Sequence, residues 1–163
     1  MWRCRSVTAT IDSNVLIYAL DNTDPPRRAV ACEVVRLAML GDVVLTAQAI
    51  GETMKVVRAK GGRYAPEALS EIERWTALFP TEGTNASDLL AAAHFAARHQ
   101  LQFWDSVIWH VARRRGATWF VSEGLQDGQA IDGMTIINPF DPANQPRLPA
   151  ILAPDGVAIT PKP

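Results

Sequence analysis

Thr8-Ala9-Thr10-Ile11-Asp12-Ser13-Asn14-Val15-Leu16-Ile17-Tyr18 is the stretch that decides the fold. Through Ile11 it is uncharged and rich in β-branched residues, the composition of a strand buried on both faces. From Val15 the apolar residues continue at helical spacing. A buried strand that ends in Asp-Ser-Asn and turns directly into a helix belongs to an open α/β sheet, where ligands gather outside the carboxyl ends of the strands. Asp12 is therefore the first candidate for chemistry. Its alternative role is to cap the helix opened by Val15, as Asp does at many such joints.

Working outward, extended and helical signals alternate. Asp24-Pro25-Pro26 places a capping acid ahead of first-turn prolines, and Ala29 to Leu40 carries Val30, Val34 and Leu37 at helical spacing before Gly41. Val43 to Thr46 reads as a short buried strand and Ala47 to Lys60 as a helix, stopped by Gly61-Gly62. Pro66 opens a helix with the stripe Leu69, Ile72, Trp75 and Phe79, and Ser87 caps an Ala-rich helix from Asp88 to Arg98. A further helix runs from Asp105 to Arg115 and ends in three arginines and Gly116, cations and a glycine suited to a helix C-terminus. Thr118 to Ser122 and Met134 to Ile137 are strands. Strands alternating with helices predict a three-layer α/β/α sandwich with a mainly parallel central sheet. Residues 1–140 form that domain, and 141–163, rich in proline and without a helical period, read as an extended arm or disordered tail.

Composition excludes several classes of function. A chain of 163 residues with 48% hydrophobic content suits one domain. No run approaches the roughly 20 apolar residues of a membrane span and no leader precedes the first strand, so no membrane partner and a cytoplasmic location are expected. Cys4 and Cys32 have no metal-ligand spacing. A net charge of -1 excludes general polyanion binding, so contact with nucleic acid requires a local basic patch or a bound cation. Neither a dinucleotide glycine fingerprint nor a phosphate loop is present. His94, His99 and His110 lie on unrelated helical faces.

What the element junctions do carry is acid. Asp12 follows the first strand, and Glu52 lies opposite the stripe Ile50, Met54 and Val57 of its helix. Asp105 opens a helix, where it would complement the dipole, and Glu123 and Asp127 follow the last helix-to-strand passage. Carboxylates gathered at one end of a sheet repel one another and raise each other's pKa unless they share a cation.

Four segments in this order resemble the PIN-domain ribonucleases, and in particular the VapC-type toxins of toxin-antitoxin pairs. They are Ile11 to Tyr18, Gln48-Ala49-Ile50-Gly51-Glu52, Phe103-Trp104-Asp105-Ser106, and Ser122 to Gly128 leading to Asn138-Pro139-Phe140. The resemblance spans Val7 to Phe140. It implies an acidic pocket holding Mg²⁺ or Mn²⁺ and hydrolysis of phosphodiester bonds in RNA, with Asp12, Glu52 and Asp105 on the metal-binding acids. It also implies a cognate antitoxin and a homodimer. Mg²⁺ takes hard oxygen ligands and keeps several waters, leaving room for substrate. On this reading Asp12 and Asp105 bind metal, Glu52 binds metal or orients water, and Asn14 and Ser122 are supporting donors.

One departure stands out. Relatives usually read Ser-Glu-Asp-Leu where this chain has Ser122-Glu123-Gly124-Leu125, so Gly124 replaces a fourth acid and leaves Glu123 or Asp127 as auxiliary candidates. The alternative function is accordingly a PIN-fold module that binds RNA or protein without cutting. A third reading, an aspartyl-phosphate hydrolase at Asp12, lacks the usual second acid two residues on, where Asn14 stands. Arg113, Arg114 and Arg115 are expected to serve their helix end, with Arg58, Lys60 and Arg63 an alternative phosphate-binding group. Trp104 and Trp109 are expected in the core.

Overall fold

A computed structural model describes residues 7–60, 64 and 66–155. Its sheet is built from runs that have nowhere to expose a face. β1 (Ala9–Ile11), β2 (Val43–Thr46), β4 (Trp119–Val121) and β6 (Met134–Ile137) bury almost every residue. Thr10, the one polar side chain within β1, donates its hydroxyl to Val44 O at 2.8 Å. Two further strands, β3 (Thr81–Glu82) and β5 (Ala130–Ile131), complete the order β3-β2-β1-β4-β6-β5. All neighbours are parallel except the β5–β6 hairpin.

Helices make the crossovers of this three-layer α/β sandwich. α1 (Ser13–Leu20) and α2 (Pro25–Met39) lead from β1 to β2, and α3 (Ala47–Ala59) and α4 (Ala68–Leu78) from β2 to β3. α5 (Ala86–His99) and α6 (Phe103–Arg114) lead from β3 to β4. The chain thus builds outward from β1 through β2 to β3, then returns to add β4 on the other side. β1 and β4 flank the topological switch point, where the loops leaving neighbouring strands diverge and open a crevice.

Local chemistry explains most of the boundaries. Asp24 accepts from Arg27 N at 3.1 Å ahead of the prolines that begin α2. Gly116 has φ +91 after the last turn of α6, the left-handed cap expected there. Gly41 directly follows the C-cap of α2, as read in the sequence, and does a second job there: a Cβ would lie 1.7 Å from Leu152 O. It admits a segment that the sequence reading took for a tail. Gln145–Arg147 forms a 3₁₀ turn and α7 (Leu148–Leu152) packs on α2, with Leu148, Ile151 and Leu152 buried in the core. A five-residue helix is too short to show a period, and its one proline, Pro149, sits in the first turn, where it is tolerated.

Three other readings shift. Asn85 rather than Ser87 caps α5, in a capping box with Asp88. α4 begins at Ala68, and Leu69 faces outward while Ala68, Ile72, Trp75 and Phe79 are buried. Strands β3 and β5, two residues each, are too short for an alternation to appear in sequence. The Gly61-Gly62 stop, Arg63, Cys4 and residues 156–163 of the expected tail lie outside the described residues.

Candidate active site

Asp12 is the residue immediately beyond β1, and its N–H still belongs to the sheet, donating to Val121 O at 2.9 Å. Ile11 pairs with Val121, so Asp12 and Ser122 leave neighbouring strands side by side at the switch point. The Asp12 carboxylate is 3% exposed and nonetheless well supplied with donors. Ser13 N donates to Oδ1 at 2.7 Å, while Ser122 Oγ and Asn14 Nδ2 donate to Oδ2 at 2.7 and 3.0 Å. Its capping and candidate chemical roles therefore coexist: Oδ1 caps α1 while Oδ2 heads the polar cluster. Burial pushes its pKa up, the Ser122 and Ser13 hydrogen bonds pull it back, and the charge of Glu52 adds to the rise.

Glu52 reaches the same place from α3. Gln48, one turn earlier, donates Nε2 to Glu52 Oε1 at 2.8 Å, and Ser13 Oγ donates to Oε2 at 2.6 Å. Ser13 thereby links the acid of β1 to the acid of α3 through its N–H and its hydroxyl. Sequence reasoning gave neither Ser13 nor Gln48 a role; the i, i+4 spacing of Gln48 and Glu52 was the available signal.

Asp105 enters from the first turn of α6. No donor among the described residues meets its carboxylate, and its pKa is pushed up to about 6, by burial first and then by the charges of Asp12 and Glu52. Asp12, Glu52 and Asp105 therefore share one electrostatic neighbourhood. They do not converge as closely as the sequence reading required. Among the described residues, no three His, Cys, Asp or Glu side chains stand close enough to hold one ion. The reason is visible in the bonding: Asp12 and Glu52 are drawn onto serine, asparagine and glutamine donors, and a third negative charge is repelled by both.

The auxiliary candidates separate. Asn14 and Ser122 are in the cluster: Asn14 Nδ2 lies 3.3 Å from Ser122 Oγ, which also accepts from Gly124 N at 3.1 Å. Glu123 contributes its backbone, whose N–H points at Asn14 Oδ1 at 3.5 Å. Its carboxylate pairs with Arg27, which sits 4.9 Å from the ring centroids of both Tyr18 and Phe140. Asp127 serves the C-terminal segment, accepting from Asn138 N at 2.7 Å and Asn144 Nδ2 at 2.9 Å. At Gly124 an added Cβ would meet Asn14 Nδ2 at 3.4 Å, ordinary contact, so the position admits a side chain.

Arg114 binds Asp88 and Glu82, Arg115 binds Glu82, and Arg113 donates to Asp132 O at 2.6 Å. That cluster spends its charge within the molecule. Trp109 is core, at 1% exposure, but Trp104 is half exposed, because the first turn of α6 lies at the crevice rather than over the sheet.

The fold and this cluster define an α/β protein with a nest of carboxylates at its topological switch point. The PIN domain family model matches residues 9–125, and the chain belongs to that family. No curated protein matches. Among solved structures, the VapC20 toxin of Mycobacterium tuberculosis, described as cleaving the sarcin-ricin loop, is similar at 17% identity and TM-score 0.58, over 69% of this chain and 87% of that one. A toxin-antitoxin complex from Klebsiella pneumoniae matches at 14% identity and TM-score 0.60, over 81% and 98% respectively. PAE2754 from Pyrobaculum aerophilum matches at 17% identity and TM-score 0.59, over 89% and 91%.

Proposed function

We propose that the protein is a divalent-metal-dependent endoribonuclease and the toxin of a type II toxin-antitoxin pair. The observation that carries this reading is Asp105: a partly buried carboxylate without a protein donor among the described residues, held against the charges of Asp12 and Glu52. Such a site wants a cation, and an all-oxygen donor set suits Mg²⁺ or Mn²⁺. No three acids among the described residues stand close enough to close around an ion, so a Mg²⁺ here would have to keep several of its waters, as it commonly does. Asp12 and Asp105 are the residues that would hold it. The chemistry such an ion would supply is a water of lowered pKa and stabilisation of charge on the phosphate.

The chain's own residues do the positioning. Ser122 and Asn14 hold Asp12 Oδ2 in one orientation, and Ser13 and Gln48 hold Glu52 facing the same crevice. In this reading Glu52 would bind metal or orient the attacking water, and Asp105 would be ionised once a cation is near. The toxin assignment draws on the family and on the similarity to solved toxins, and it implies an antitoxin that covers this crevice and a homodimeric toxin.

Single-stranded RNA incubated with Mg²⁺ or Mn²⁺ tests the reading. Cleavage that EDTA abolishes and Asp12→Asn removes supports it, whereas RNA bound but left whole favours the alternative of a binding module, for which the missing acid at Gly124 speaks.

A further inference from the structure

Beside the carboxylates a cleft opens between α1, α3 and the start of α6. Ser13, Gln48, Gly51, Glu52, Lys55 and Trp104 are among the residues that line it. Three features of this cleft have no part in holding the acids. Trp104 is 50% exposed although it is the largest kind of apolar side chain, and the edge of Phe103 braces its ring at a centroid distance of 4.8 Å. Lys55 makes no ion pair with any described residue. Gly51, inside a helix where glycine costs about 1 kcal/mol relative to alanine, has nothing within 4 Å of where a Cβ would be. A shallower groove continues from Gly51 and Lys55 along α3 to Arg58.

Each feature is costly or idle for folding alone, and each suits one occupant. A fixed indole with a free face is a stacking platform, tolerant of base identity because every base has a π-face. Unpaired cations one helical turn apart follow a phosphate backbone. With nothing within 4 Å of where a Cβ would stand, the lining at Gly51 is open to a flat ring.

We infer that this cleft is a nucleobase seat for single-stranded RNA: the nucleotide next to the scissile phosphate stacks on Trp104 in the space left open at Gly51, and Lys55 and Arg58 take the phosphates that follow. The inference rests on the nuclease reading for which phosphate lies at the acids. It adds that the strand is gripped on the α3 side of the acids.

Binding of a short fluorescein-labelled single-stranded RNA to the full chain in EDTA, followed by anisotropy, tests the seat apart from cleavage. Trp104→Ala is expected to weaken binding about tenfold, the scale of a lost base stack, with Trp104→Phe restoring most of it. Gly51→Met, which puts a side chain into the open space at that position while improving helix propensity, is expected to weaken binding by a similar factor with an unchanged or higher melting temperature. Lys55→Ala is expected to lower the salt dependence by about one phosphate contact. The same sequence as a duplex should bind more weakly, since its bases cannot stack on the indole. Wild-type affinity in both Trp104→Ala and Gly51→Met, or equal affinity for duplex and single strand, overturns the seat. Metal-dependent cleavage by the wild type is scored separately. Cleavage with unchanged variants discards the seat and keeps the nuclease, and the expected binding pattern without cleavage does the reverse.

Discussion

Two acidic clusters, both at helix N-termini, have been given opposite surroundings. At the start of α5, the Asp88 side chain is 2% exposed and completes a capping box, receives Arg114 at 3.0 Å and has His110 at 3.4 Å, while Glu82 takes Arg114 and Arg115 at 2.8 Å each. Burial pushes Asp88 up, but the Asn85 N–H and the Arg114 guanidinium outweigh it and hold the carboxyl below its ordinary range. At the start of α1 and α6, Asp12 and Asp105 are pushed the other way, and Asp105 has neither cation nor donor among the described residues. One cluster is neutralised from within. The other is left for something the chain does not supply, which is the physical difference between a structural acid and a site.

The largest expected effect that sharpens this contrast is on catalysis. Asp12→Asn should abolish RNA cleavage, falling by more than the roughly 10- to 100-fold that loss of a supporting partner costs, whereas Asp88→Ala should leave the rate per folded molecule unchanged. On stability the order reverses. Asp88→Ala removes a cap worth about 1 kcal/mol and a charge-assisted hydrogen bond worth about 1.5–3 kcal/mol, so urea unfolding should show a loss of about 2–4 kcal/mol. Asp105→Asn should instead stabilise the metal-free protein at neutral pH by about 1 kcal/mol, because it removes a charge that burial and two neighbours oppose and that solvent screens in part.

The pH dependence follows with opposite signs. Asp105 binds its proton more tightly when folded, so its contribution favours the folded state while the carboxyl is protonated. That contribution is lost as pH rises from the ordinary Asp value near 3.8 to about 6. Asp88, lowered on folding, stabilises above its ordinary value and loses that contribution as pH falls through its folded value. Melting curves of wild type and Asp105→Asn should therefore diverge between about pH 4 and 6, and those of Asp88→Ala should approach wild type only in stronger acid. The smallest effect concerns Gly124. Gly124→Asp should fold, given the 3.4 Å clearance, and should tighten Mn²⁺ binding by adding a carboxylate beside Asn14 and Ser122, read by calorimetry.

The parallel core was legible because its strands are buried on both faces and read as continuous apolar runs, as at Val43 to Thr46 and Met134 to Ile137. Asp12, Glu52 and Asp105 were legible as acids at element junctions. What escaped has physical causes. Two-residue strands and the five-residue α7 are shorter than any period, and their placement depends on tertiary contacts such as the approach of Leu152 to Gly41. Trp104 looked like core because its neighbours at helical spacing are core, and only the position of α6 against the crevice exposes it. Asp127 and Glu123 are acids at the right junction whose partners, Asn138, Asn144 and Arg27, come from other segments and draw them elsewhere.

The claim that this nest is completed by a divalent cation is tested most directly by thermal unfolding with and without Mn²⁺ at neutral pH, in wild type and in Asp105→Asn. A ligand that binds only the folded state raises the melting temperature by mass action. The account predicts a Mn²⁺-dependent rise in wild type that Asp105→Asn largely removes. A wild-type melt that ignores Mn²⁺, or an equal rise in both proteins, would contradict it.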